Sequence, residues 1–208
     1  MNEDIFDLSI SKKENEFVEY GLNLESDVVT DIVETFMGIP YIGSLLKLGR
    51  IGSRFVELCF IQKLAKFLEK DVEIPDKEKE KFLNEISPKQ RKILHEYLIH
   101  YLLRAEDSAK ADIMGYIYKE RVLGDIDDKM FLRLCSIIDK AFVFDLSCLP
   151  EFVEPNTGYS IEANNFINLG LIDNFVGGVW VDGPSYELNE TGLKLHQILE
   201  QNKWYEQK

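Results

Sequence analysis

Apolar residues recur every three to four positions along most of the chain, and the longest such run lies between Gly38 and Lys70. There Ile42, Leu45, Leu46, Phe55, Val56, Cys59 and Phe60 share one broad face opposite Lys47, Arg50, Arg54 and Glu57. That spacing predicts an amphipathic helix. Gly38, Gly43, Gly49 and Gly52 punctuate its front half, and each costs about 1 kcal/mol relative to alanine wherever it falls inside a helix. Glycines in such places mark a bend or the close approach of another backbone. From Arg54 onward the stripe continues without interruption through Ile61, Leu64, Ala65 and Leu68. The run therefore divides into a glycine-rich, basic front half and a firmer rear half.

The same periodicity predicts helices on either side. Val28, Val29, Ile32, Val33 and Phe36 give one from Ser26 to Met37, closed by Gly38-Ile39-Pro40, since a residue before proline is pushed out of the helical region. Beyond Ile74-Pro75-Asp76 comes a short charged helix presenting Phe82, Leu83 and Ile86. Ser87-Pro88 is a start signal, serine capping and proline occupying the first turn. The pairs Ile93/Leu94, Tyr97/Leu98 and Tyr101/Leu102 predict a buried face for that helix. Asp107 or Ser108 opens another, stopped by Gly124, and Asp127 caps one carrying Phe131, Leu134, Cys135 and Ile138. Short connections between amphipathic helices describe a bundle.

The pattern changes near Pro150. A short helix from Ser160 to Gly170 is followed by strand-like triplets at 174–176, 179–181 and 186–188, separated by Gly177-Gly178 and Asp182-Gly183. These turns make a small antiparallel hairpin, and Asn189 caps a closing helix through Leu193, Leu195, Ile198 and Leu199. The fold class predicted is mainly α: a helical bundle with a C-terminal α+β subdomain. The parts are an acidic N-terminal arm over residues 1–25, the bundle over 26–150 and the subdomain over 151–208.

Leu169-Gly170-Leu171-Ile172 and the later run Tyr186-Glu187-Leu188-Asn189-Glu190-Thr191-Gly192 resemble the end of a winged-helix domain. In that family a helix closes in L-x-GLI, a β wing follows, and a YxLTxxG segment enters the last helix; Asn189 stands where threonine is usual. Over the whole chain, IPYIGSLLKLG at 39–49 and FIQKLAKFLE at 60–69 resemble bacterial proteins of the abortive-infection, Abi-alpha-like type. That resemblance implies a link to phage defence and carries over no catalytic residues.

Charge modifies this picture. The 208 residues carry a formal net charge of −13, which argues against a surface built to grip nucleic-acid phosphates. Residues 1–36 hold ten acids and two bases, whereas 37–70 hold six bases and two acids, so an acidic arm precedes a basic helix. Glu162 to Leu169, the helix before the wing, has no Arg or Lys, and the wing region carries Asp173, Asp182 and Glu187. DNA is accordingly not the expected partner of the winged-helix-like end. Cys59, Cys135 and Cys148 are odd in number and far apart, which predicts buried free thiols in a reducing cytoplasm. The opening MNEDIFDLSISKKENE lacks a secretory h-region, and no stretch reaches the roughly 20 apolar residues of a membrane span.

Three near-motifs fail on spacing. His95 and His100 are five apart and diverge around a helix, unlike the pair in HExxH. Gly43 to Arg50 has five residues between its glycines and no Lys-Ser/Thr, so it is not a phosphate loop. Asp125, Asp127 and Asp128 lack the twelve-residue loop of a calcium hand and suit a helix N-terminus. No catalytic, metal or cofactor residues are assigned.

The function expected is that of a non-enzymatic interaction or effector protein, cytoplasmic, with peripheral membrane association as an option. Its interaction residues are Gly43, Lys47, Gly49, Arg50, Gly52 and Arg54 on the basic, glycine-rich helix, which would meet a protein partner, a second copy or an anionic membrane surface. The alternative is a transcriptional regulator binding DNA through its winged-helix-like end.

Overall fold

A computed structural model describes residues 54–157, 160–175 and 185–207. It divides into two compact units, residues 1–128 and 129–208. The expected helix at 26–37, the front half of the basic helix with Gly43 to Gly52, and the Gly-Gly and Asp-Gly turns with the triplet 179–181 lie outside the described residues.

The described part of the first unit is helical. Helices α1 (Arg54–Val72), α2 (Asp76–Glu85), α3 (Pro88–Arg104) and α4 (Ser108–Leu123) follow one another through short connections. Each boundary has a local cause. Ser87 accepts from the Gln90 N–H, and the Gln90 side chain reaches back to the Ser87 backbone, a complete capping box ahead of Pro88. Asp107 caps α4 through the Lys110 N–H. Gly124 ends α4 at φ 89°, a left-handed conformation that glycine adopts without steric cost.

Helix α1 packs most extensively on α4. Phe60, Ile61, Leu64, Ala65, Phe67 and Leu68 on α1, and Ile113, Met114 and Ile117 on α4, are all buried. The two backbones meet at Gly115, where a Cβ would stand 2.9 Å from the Phe67 carbonyl oxygen and 2.9 Å from Lys70 Cγ. Phe67 and Phe82 both pack against Tyr118, with ring centroids 5.3 and 6.5 Å away. The rear half of the predicted long helix is thus a core element of this unit.

The second unit runs from α5 (Asp128–Lys140), which crosses the division at its first residue, through a 3-10 segment (Asp145–Phe152) to α6 (Ile161–Asn168). Strands β1 (Ile172–Phe175) and β2 (Ser185–Leu188), helix α7 (Glu190–Gln201) and a last 3-10 turn (Trp204–Gln207) complete it. The strands are antiparallel, with Ile172 opposite Leu188 and Asp173 opposite Glu187. Asn156 adds one bridge to Tyr186, each N–H donating to the other's carbonyl at 2.9 Å. Phe131, Leu134, Cys135, Leu149, Phe152, Phe166, Leu195, Ile198, Leu199 and Trp204 are buried, with Phe152 edge-on to Phe166 at 5.7 Å. The described chain is mainly helical with a small antiparallel hairpin near its C-terminus, as the periodicity predicts.

The three thiols are free: Cys135 is buried, while Cys59 and Cys148 are half-buried. Burial of all three was expected, and Cys59 and Cys148 both fall short of it, Cys148 next to exposed Ser147 on the 3-10 segment. No described helix is long and apolar enough to cross a membrane.

Candidate interaction surfaces

Of the interaction residues expected from the sequence, Gly43, Lys47, Gly49, Arg50 and Gly52 lie outside the described residues, and Arg54 is described only as the first residue of α1. The bases farther along the same run are engaged within the first unit. Lys63 Nζ donates to the carbonyls of Ala105 at 2.9 Å and Leu103 at 3.4 Å, placing a cation at the C-terminal end of α3, where the helix dipole is negative. Burial lowers its pKa, with Cys59 and Asp107 opposing. Lys66 pairs with Glu69 at 3.1 Å. Lys70 lies 3.3 Å from Asp112 on α4 and 4.8 Å from the centroid of the Tyr116 ring. Phe60 and Phe67 of the same helix are buried.

The Lys70–Asp112 pair has a testable titration. Burial raises the Asp112 carboxyl above its ordinary pKa, and Lys70 offsets only part of that rise. Burial also opposes the charge on Lys70, but Asp112, Tyr116 and Glu69 outweigh it and leave the ammonium pKa raised. For Asp112 the folded state therefore holds its proton to higher pH than the unfolded chain. Its contribution to stability is greatest in acid and declines as pH rises from the unfolded value to the folded one. Urea unfolding of wild type and D112N at a series of pH values rising from the ordinary carboxylate pKa should show wild type losing stability relative to the variant as pH increases. A relative gain with rising pH would put the attraction of Lys70 ahead of burial.

The exposed large apolar side chains of the described residues fall in two places. On α3, Leu94, Leu98 and Leu102 are buried, but their neighbours Ile93 and Tyr97 are 39% and 49% exposed. Tyr97 stacks on Tyr101 with centroids 6.4 Å apart. At 100° per residue, Lys89, Ile93, Tyr97, His100 and Arg104 fall along one stripe. On this outward side Lys89, Lys92 and Arg104 outnumber the single acid Glu96, which pairs with Lys92 at 3.8 Å, so the face is net basic in an acidic protein. The expected pairs at 93/94, 97/98 and 101/102 are thus each divided, one member inside and the other toward solvent.

In the second unit, Phe142 and Phe144 are 61% and 66% exposed, their rings 5.3 Å apart. Buried Val143 lies between them. Their backbone is held: the Asp145, Leu146 and Ser147 N–H groups donate to the carbonyls of Phe142, Val143 and Phe144 at 3.0, 3.2 and 3.3 Å. Ser147 Oγ adds a 2.6 Å bond to the Phe144 carbonyl. Asn165 of α6 donates to Asp145 at 2.8 Å, and Ile161, 71% exposed, sits one turn earlier on that same side of α6. Burial raises the Cys148 thiol, with Glu151, Glu162 and Asp145 adding to the rise, so carboxylates surround this segment. From Asp139 to Glu162 there are five acids and one base.

Two phenylalanines flanking a valine just after α5 were the signal in the sequence for this second surface. At the near-motifs, His100 is exposed and Asp128 accepts from Arg121 Nε at 2.6 Å. Among the described residues no group of three or more His, Cys, Asp or Glu could hold a metal ion. Compared with models of known families, with curated proteins and with solved structures, the chain matches none.

Proposed function

We propose that the chain is a non-enzymatic interaction protein, an effector that works by docking and serves in defence against phage. The observation that carries this reading is the Phe142–Phe144 pair, two aromatic rings held toward solvent on a hydrogen-bonded backbone. Aromatic side chains fixed in this way are the usual anchors of protein interfaces. The basic, glycine-rich run with Lys47, Arg50 and Arg54 is the second contact, toward a partner protein or an anionic membrane surface. The phage-defence element rests on the Abi-alpha-like resemblance of residues 39–49 and 60–69.

Two experiments test the proposal. Plaque counts on a bacterial host should fall when wild type is expressed, and F142S/F144S should lose that protection at equal protein level. Protection that survives the substitutions removes the docking role of the pair, and no protection by wild type across a phage panel removes the defence role. Co-sedimentation with anionic vesicles separates the two contacts of the basic run. Pelleting of wild type but not K47E/R50E/R54E favours the membrane, and equal, negligible pelleting favours a protein.

The α6–β1–β2–α7 order is the observation that keeps a DNA-binding regulator as the alternative. Against it, Ile161–Asn168 holds no Arg or Lys, and Asp173 stands directly across from Glu187, charges that would repel phosphate. A gel shift on random duplex at low salt decides it, and no shift there ends the DNA reading.

A further inference from the structure

We infer that the partner of the Phe142–Phe144 surface is the α3 face of a second copy of this chain. The inference rests on the docking reading above and names its occupant. Five large apolar side chains are markedly exposed among the described residues, and they sort by charge: Ile93 and Tyr97 on one face, Phe142, Phe144 and Ile161 on the other. Lys89, Lys92 and Arg104 are exposed around the first and outnumber Glu96, which lies 3.8 Å from Lys92. Asp145, Glu151 and Glu162 lie around the second. One chain thus bears two apolar surfaces with oppositely charged surrounds, and another molecule of the same chain offers each the complement it lacks.

Both faces suit such a contact physically. Their apolar centres gain by leaving water, and their charged rims favour the unlike pairing while opposing α3 on α3 or phenylalanine pair on phenylalanine pair. The rings also arrive with little freedom to lose: Phe142 and Phe144 sit on the hydrogen-bonded turn that leads into the 3-10 segment, and Tyr97 is braced against Tyr101. Preorganisation of this kind lowers the entropy cost of association. Since the two faces differ, the contact is between unlike patches of like molecules.

The test is sedimentation velocity on the full chain over a concentration series reaching hundreds of micromolar. Wild type should associate reversibly, while I93S/Y97S and F142S/F144S should each stay monomeric with unchanged circular dichroism. Mixed together, the two variants should form a one-to-one dimer, because each retains the face the other has lost. K89E/K92E, changed only at exposed side chains, should show the same loss of self-association and the same rescue by F142S/F144S. This provides the readout if I93S/Y97S does not fold. A wild type that remains monomeric throughout overturns the inference, as do variants that associate like wild type or a mixture that yields no dimer. Loss of phage protection in F142S/F144S alongside a monomeric wild type would leave the docking reading standing with a different partner.

Discussion

Replacing Asp71 with alanine is expected to remove about 3–5 kcal/mol from the stability of the first unit. Asp71 in the last turn of α1 meets Lys79 of α2 at 2.8 Å, with the two side chains only 5% and 8% exposed. Helix α2 begins at Pro75 with no side-chain cap, so this pair is a principal tie across the Ile74-Pro75 elbow. Alanine would take the close carboxylate from a desolvated Lys79 ammonium, and breaking a buried ion pair from one side is far more damaging than the loss of an exposed bridge. Removing both charges in D71L/K79M should restore most of the loss, because two apolar groups carry no desolvation penalty. Far-UV circular dichroism in urea is the suitable measurement, as both tryptophans, Trp180 and Trp204, fall in the second unit. A loss below about 1 kcal/mol would mean that water screens the pair as it does on a surface.

Gly192→Ala is expected to cost the second unit about 3 kcal/mol, even though alanine is the better helix former by about 1 kcal/mol. A Cβ at Gly192 would overlap the Leu171 carbonyl oxygen and stand 3.0 Å from Leu188 Cδ2. That carbonyl cannot easily retreat, because it also accepts the Asn189 N–H at 3.0 Å. Overpacking against backbone forces a shift of the whole helix start, whereas a flexible side chain could turn aside. Buried Trp204 follows α7 closely, so its fluorescence in urea reports the change. Stability equal to wild type would show that the turn at Leu171 yields after all.

The run from Tyr186 to Gly192 is tied to the start of β1 at these same residues. Gly192, the glycine of YxLTxxG, is where the last helix passes over the carbonyl at the start of β1. Asn189 accepts the Gly192 N–H at 3.1 Å, as a threonine cap would. Its amide then donates to the Gly170 carbonyl at 3.0 Å and to Asp173 at 3.3 Å, which a hydroxyl could not do together. The cap was legible in the sequence, but the additional bonds were not, because they depend on a turn 19 residues away.

Helix boundaries were legible for the same reason: Ser87, Asp107, Gly124 and Asn189 act on their own backbone neighbourhood, so their chemistry predicts their place. Side-chain partners across helices were not. Lys63, Lys66 and Lys70 have the spacing of an exposed basic face, yet Lys63 closes the end of α3 and Lys70 enters the core toward Asp112. Periodicity gives the direction of a face, and only packing shows what stands opposite. The apolar pairs on α3 did mark a buried face, Leu94, Leu98 and Leu102, but not that Ile93 and Tyr97 stay exposed, because a helix with apolar residues over too wide an arc cannot bury them all against one side.

The close approach of α1 and α4 at Gly115 also bears on synthesis at the ribosome. These helices are separated in the chain by the whole of α2 and α3, so α1 emerges well before the surface that covers it. Until Leu123 has left the exit tunnel, Ile61, Leu64, Phe67 and Leu68 have no α4 to pack against, and the nascent chain exposes its most apolar stripe when it is least able to hide it. A pause in translation soon after Leu123 is added, while α4 is still inside the tunnel, would lengthen that interval and make aggregation of the emerging chain a sensitive measure of how quickly the first unit closes.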